Sequence, residues 1–74
     1  MAIHHLNEYR FAIERDGEDF IMRLDGEPLG VYPTREAAEY AANTAAKEIR
    51  PGVCLEFRDL GGILEANLIV RDAP

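Results

Sequence analysis

The sequence predicts an α+β domain: an antiparallel sheet of order β-β-β-α-β-β with one alanine-rich helix packed on one face. Three features point there. Apolar residues alternate with polar ones on both sides of two Asp-Gly pairs, the period of two that marks strands with one dry face. Pro33-Thr34 opens a stretch whose apolar positions recur at helical spacing, and Pro51-Gly52 closes it, after which the alternation returns. The length sets the scale: 74 residues make a single domain. Such a domain buries about 60% of the surface its unfolded chain exposes, too little for a deep catalytic cleft with supporting shells.

The first strand is expected over 8–14, with Tyr9, Phe11 and Ile13 inward and Arg10, Ala12 and Glu14 outward; residues 1–6 are expected to fray. Arg15 to Asp19 is a turn built on Asp16-Gly17, since these residue types readily adopt the backbone angles of a tight hairpin. Phe20, Met22 and Leu24 then share one face of a second strand, with Ile21 and Arg23 on the other. Asp25-Gly26 repeats the signal and leads to a third strand, 27–32, in which Leu29 and Val31 are expected to face inward and Pro28 marks an edge. Thr34 is a good N-cap and Glu36 suits the first turn of a helix over 35–49. Its apolar stripe is Ala38, Ala41, Ala42, Ala45 and Ile49; its polar stripe is Arg35, Glu36, Glu39, Asn43, Lys47 and Glu48. A second hairpin follows, with Val53, Leu55 and Phe57 alternating with Cys54, Glu56 and Arg58, a turn at Gly61-Gly62, and a last strand over 63–71.

That last strand is apolar on both sides, with Leu64, Ala66, Leu68 and Val70 on one and Ile63 and Ile69 on the other beside Glu65 and Asn67. One helix covers only one face of a sheet, so Ile21, Ile63 and Ile69 are candidates for a homodimer interface.

Few residues offer chemistry. The single Cys54 forms no internal disulfide and points to a reducing, cytoplasmic setting. His4 and His5 are adjacent, and neighbours on an extended chain point apart; with Cys54 they complete neither a metal set nor a nucleophile-base pair. Gly61-Gly62 lacks the Lys and Ser of a phosphate loop. No cofactor, no metal and no enzymatic activity are expected. The N-terminus lacks the basic and apolar regions of an export signal, and no apolar run is long enough to cross a membrane.

The acidity is uneven. The chain has 14 acidic and 8 basic side chains, a net −6. Between Glu14 and Glu27 lie Glu14, Asp16, Glu18, Asp19, Asp25 and Glu27 against Arg15 and Arg23, a net −4. In a meander the two turns fall at opposite ends of strand two. Asp16, Glu18 and Asp19 form the larger cluster and Asp25 and Glu27 the smaller, both candidates for contact with a basic protein. The run is too short for a calcium loop. A three-stranded sheet followed by a helix is also the layout of sheet-type DNA readers, but those need Lys and Arg for phosphates, and the net charge here repels a polyanion.

Tyr9 to Gly17, Phe20 to Gly26, Tyr32 to Ala38 and Gly61-Gly62-Ile63 together resemble a small bacterial domain family of YegP-like layout. Its members combine strand, Asp-Gly turn, strand, a Thr-led helix start and a closing Gly-x-Ile strand. Phe20 stands where that family commonly has a tryptophan. The resemblance implies a β-β-β-α-β arrangement and frequent dimers, with no catalytic residues to transfer. The segment from Gly30 to Ala38 is also similar to the N-terminal domain of HicB-like antitoxins, without their C-terminal DNA-binding helices.

These readings converge on a small acidic, non-enzymatic interaction module that dimerises through its sheet and binds a basic protein. The alternative is an acidic inhibitor of a nucleic-acid-handling protein, antitoxin-like or phage-encoded in the manner of anti-CRISPR proteins.

Overall fold

The computed structural model describes residues 6–71, with side chains for 7–70. The chain runs β1 (Leu6–Asp16), β2 (Asp19–Leu24), β3 (Glu27–Tyr32), α1 (Arg35–Ile49), β4 (Arg58–Leu60) and β5 (Ile63–Arg71). The strands form one antiparallel sheet in the order β3-β2-β1-β5-β4, so the expected α+β layout holds and β1 takes the centre. β1 starts earlier than the alternation indicated, at Leu6, because β5 runs long enough to pair with it out to Arg71. Of residues 1–6, expected to fray, Leu6 is paired in β1, and 1–5, His4 and His5 among them, lie outside the described residues.

The core lies between the sheet and the helix. Phe11 and Ile13 of β1, Met22 of β2, Leu64, Ala66 and Leu68 of β5, and Ala38, Ala42 and Ala46 of α1 form one buried cluster. The three alanines recur every fourth residue and are fully buried; their small side chains let the helix lie close to the sheet. Thr34 caps it, its hydroxyl accepting from the Ala37 N–H at 3.1 Å. Ala46 belongs to the buried stripe, whereas Tyr40 is 76% exposed.

Two sequence expectations are corrected. In β3, Val31 pairs with Ile21 and faces away from the helix, while Tyr32 and Gly30 take the inward positions. A register shift between Met22 and Arg23 places an extra residue in β3, and Leu29 is left half exposed in a groove beside the helix. The second hairpin is also shorter than its alternation implies. β4 covers only Arg58–Leu60, and residues 53–57 are not in the sheet. The reason is coverage. The helix packs on β1, β2 and β3, which leaves the inner face of β5 to the returning chain; Leu55 is buried in the core, and Val53 and Phe57 pack against it. Cys54, which the alternation predicts within a strand, lies outside the sheet and is exposed.

The turn at Asp25 extends the sheet by an unusual route. Asp25 has φ +52, which turns its carbonyl out of the ladder. Its N–H still donates to the Arg10 carbonyl at 2.8 Å, and its carboxylate accepts from the Arg10 N–H at 2.9 Å. The side chain thus replaces the missing backbone acceptor. Replacing it with alanine is expected to cost about 1 kcal/mol, while Asp25→Asn, which keeps an acceptor and tolerates this backbone region, stays within about 0.5 kcal/mol of the parent. Urea denaturation of the three proteins measures both.

Candidate protein-interaction site

The sheet face opposite the helix has no covering element among the described residues. Because strand residues alternate, the register places its side chains in rows. One row crosses the sheet through Val31, Ile21, Glu14, Ile63 and Leu60; the next runs through Arg23, Ala12, Glu65 and Arg58; Arg10 pairs with Asn67, and Glu8 with Ile69. All three candidate interface isoleucines are therefore on this face. Ile21 and Ile63 flank Glu14, and Ile69, 54% exposed, is near the far end. Sequence reasoning missed Leu60 and Val31, exposed by 51% and 58%. Leu60 is legible afterwards as the residue opposite Ile63 across the two-residue Gly61-Gly62 turn.

The charges of these rows balance: Arg10, Arg23 and Arg58 against Glu8, Glu14 and Glu65. The same alternation puts the paired Asp16 and Asp19 of the β1–β2 tip at the rim of this face, where they add −2. Arg23 reaches Glu14 at 3.7 Å and also donates to the Gly26 carbonyl at 3.3 Å.

The acidic residues divide as the meander requires. Asp16, Glu18 and Asp19 are exposed at the β1–β2 tip, and Asp25 and Glu27 are exposed at the other end of β2. A strand of this length separates the groups by about 20 Å, so the structure does not bring the five together. Asp25 is also committed to Arg10. At the tip, Arg15 donates to the Gly17 carbonyl at 3.0 Å and lies 5.9 Å from the centre of the Phe20 ring, leaving Asp16, Glu18 and Asp19 without an ion-pair partner among the described residues.

Asn43, assigned to the polar helix stripe, has a structural task. It is half-buried, and its side-chain oxygen accepts from the Leu55 N–H at 2.7 Å, fixing the segment after the helix over β5. Among the described residues no three His, Cys, Asp or Glu side chains converge as metal ligands. Comparison with models of protein families, with curated proteins and with solved structures yields no match in any of the three.

Loss of the Asn43 acceptor leaves a partly buried N–H unpaired, so Asn43→Ala is expected to cost about 1–3 kcal/mol. Hydrogen exchange should then accelerate at the Leu55 amide ahead of the β1 amides. Equal acceleration throughout the sheet would show that Asn43 does not act locally.

Proposed function

We propose that this protein is a non-enzymatic interaction module that self-associates through the bare sheet face and presents the acidic β1–β2 tip to a basic protein. The observation that carries the reading is the composition of that face: exposed or half-exposed Val31, Ile21, Ile63, Leu60 and Ile69 set among three arginines and three glutamates. A two-fold interface puts the same patch on both subunits, so it must be self-complementary. The central rows of the face, of net charge zero, meet that demand, whereas the residues outside them, at −6 in sum, repel their own copy. With strands about 4.8 Å apart and residues rising about 3.4 Å, the face measures about 500–600 Å² per protomer, or about 1,000–1,200 Å² for a pair, at the low end of specific interfaces. A reversible dimer fits that size.

Self-association centred on these apolar residues keeps the tip at its rim, because Asp16 and Asp19 lie one row beyond Glu14 and Ile21 and Glu18 is in the turn. Clustered carboxylates of this kind raise the association rate with a cationic surface and make binding salt-dependent.

Ile21→Asp combined with Ile63→Asp is expected to weaken self-association at least about tenfold, or 1.4 kcal/mol, in sedimentation equilibrium. The helix-side core, which these residues do not touch, should keep the far-ultraviolet circular dichroism unchanged. Unaltered association would remove this face from the account. Reversal of Asp16, Glu18 and Asp19 to lysine should leave self-association intact and abolish salt-sensitive capture of a basic protein such as a cationic nuclease. Capture that survives the reversal would place the basic partner elsewhere.

A further inference from the structure

We infer that the open edge of β5 receives an extended segment of a partner protein, added as a sixth strand, whose apolar residues face inward and whose outward residues are acidic. β5 pairs with β1 from Leu64 to Arg71, but on its other side β4 reaches only from Ile63 to Glu65. Leu60 and Ile63 flank a two-residue turn and so form a hydrogen-bonded pair, which directs the backbone groups of alternate β5 residues toward the β4 side. By that alternation Asn67 and Ile69 aim N–H and C=O groups at an edge with no strand partner among the described residues, and no hydrogen bond from residues 53–57 meets them. An edge of this kind is a template for another strand.

The space beside it has the matching size and chemistry. A cleft of about 550 Å³ separates β5 from the returning chain. A strand residue fills about 160 Å³, from its rise, the strand spacing and the thickness of a sheet layer, so the cleft holds about three residues, the span from Asn67 to Ile69. Its inner walls include buried Leu55 and Leu68, which call for an apolar side chain. Arg50 and Arg58 line it against one carboxylate, Glu56, and neither arginine has an ion-pair partner among the described residues. In a chain of net −6 these lining charges sum to +1, and Arg58, which the β4–β5 register puts on the outer face, favours acidic outward residues. The competing occupant is the chain's own 53–57 segment: continuing the β4 register would set Leu55 opposite Leu68 and Phe57 opposite Ala66. Those side chains instead cover the inner face of β5, and Asn43 fixes Leu55 beside the helix.

The test is an NMR titration of the full chain with a short synthetic peptide of alternating valine and glutamate. Before addition, the Asn67 and Ile69 amides should exchange as fast as unpaired amides. On addition they should shift and gain at least about tenfold protection, and Arg50→Glu with Arg58→Glu should weaken binding at least about tenfold, as should lysine in place of the peptide's glutamates. Four results would overturn the proposal: protection of both amides before any peptide is present, which means that residues 53–57 or a second copy already fill the edge; no peptide-induced shift at these amides; equal binding of the lysine peptide; or undiminished binding by the double variant. The Ile21→Asp, Ile63→Asp protein, assayed in parallel, separates this site from the sheet face, since its failure to self-associate should leave peptide binding unchanged.

Discussion

A single fifteen-residue helix has to cover a five-stranded sheet, and the rest of the structure follows from its inability to do so. The buried residues Ala38, Ala42 and Ala46 bring the helix close to the sheet, and close approach confines it to β1, β2 and β3. The inner face of β5 is then left to the chain after the helix. Val53, Leu55 and Phe57 fill that gap, with Leu55 tied to Asn43, and in doing so they leave the sheet plane. Among the described residues two unsatisfied surfaces result: an outer face with no covering element, and a β5 edge whose neighbouring strand stops after three residues.

Charge separates these surfaces from the rest of the molecule. The central rows of the outer face are neutral through matched arginines and glutamates, Arg50 adds a positive charge beside the β5 cleft, and the net acidity lies outside those rows, with Asp16, Glu18 and Asp19 at the hairpin tip. Such partitioning allows a strongly acidic chain to meet a copy of itself at one surface while repelling it elsewhere, and to steer a cationic protein to the hairpin tip.

Much of this was legible in the sequence. The period-two alternation around Asp16-Gly17 and Asp25-Gly26, the Thr34 cap and the alanine spacing located β2, β3 and the helix to within a residue, because each rests on local chemistry. The placement of Ile21, Ile63 and Ile69 on one face followed from parity alone. What was not legible depended on tertiary contacts. Val53, Leu55 and Phe57 alternate as a strand does, and nothing local reveals that their burial comes from covering β5 and not from pairing with it. Val31 reads as inward because a register shift that turns it outward cannot be seen from one strand. Asn43 looked like a solvated helix residue, since its partner is twelve residues away. Asp25 read as turn chemistry, and its second task, completing the β1 ladder, appears only once the fold brings Arg10 beside it.

The central claim is that the uncovered sheet face meets a second copy of the chain. Isotope-filtered NOE spectra of an equimolar mixture of labelled and unlabelled protein test it without altering a residue. Contacts between chains are expected among the methyl groups of Val31, Ile21, Ile63 and Leu60, with none to the helix-side methyls of Ala41 and Ala45. Inter-chain contacts confined to the helix side, or none at all at millimolar concentration, would contradict the account.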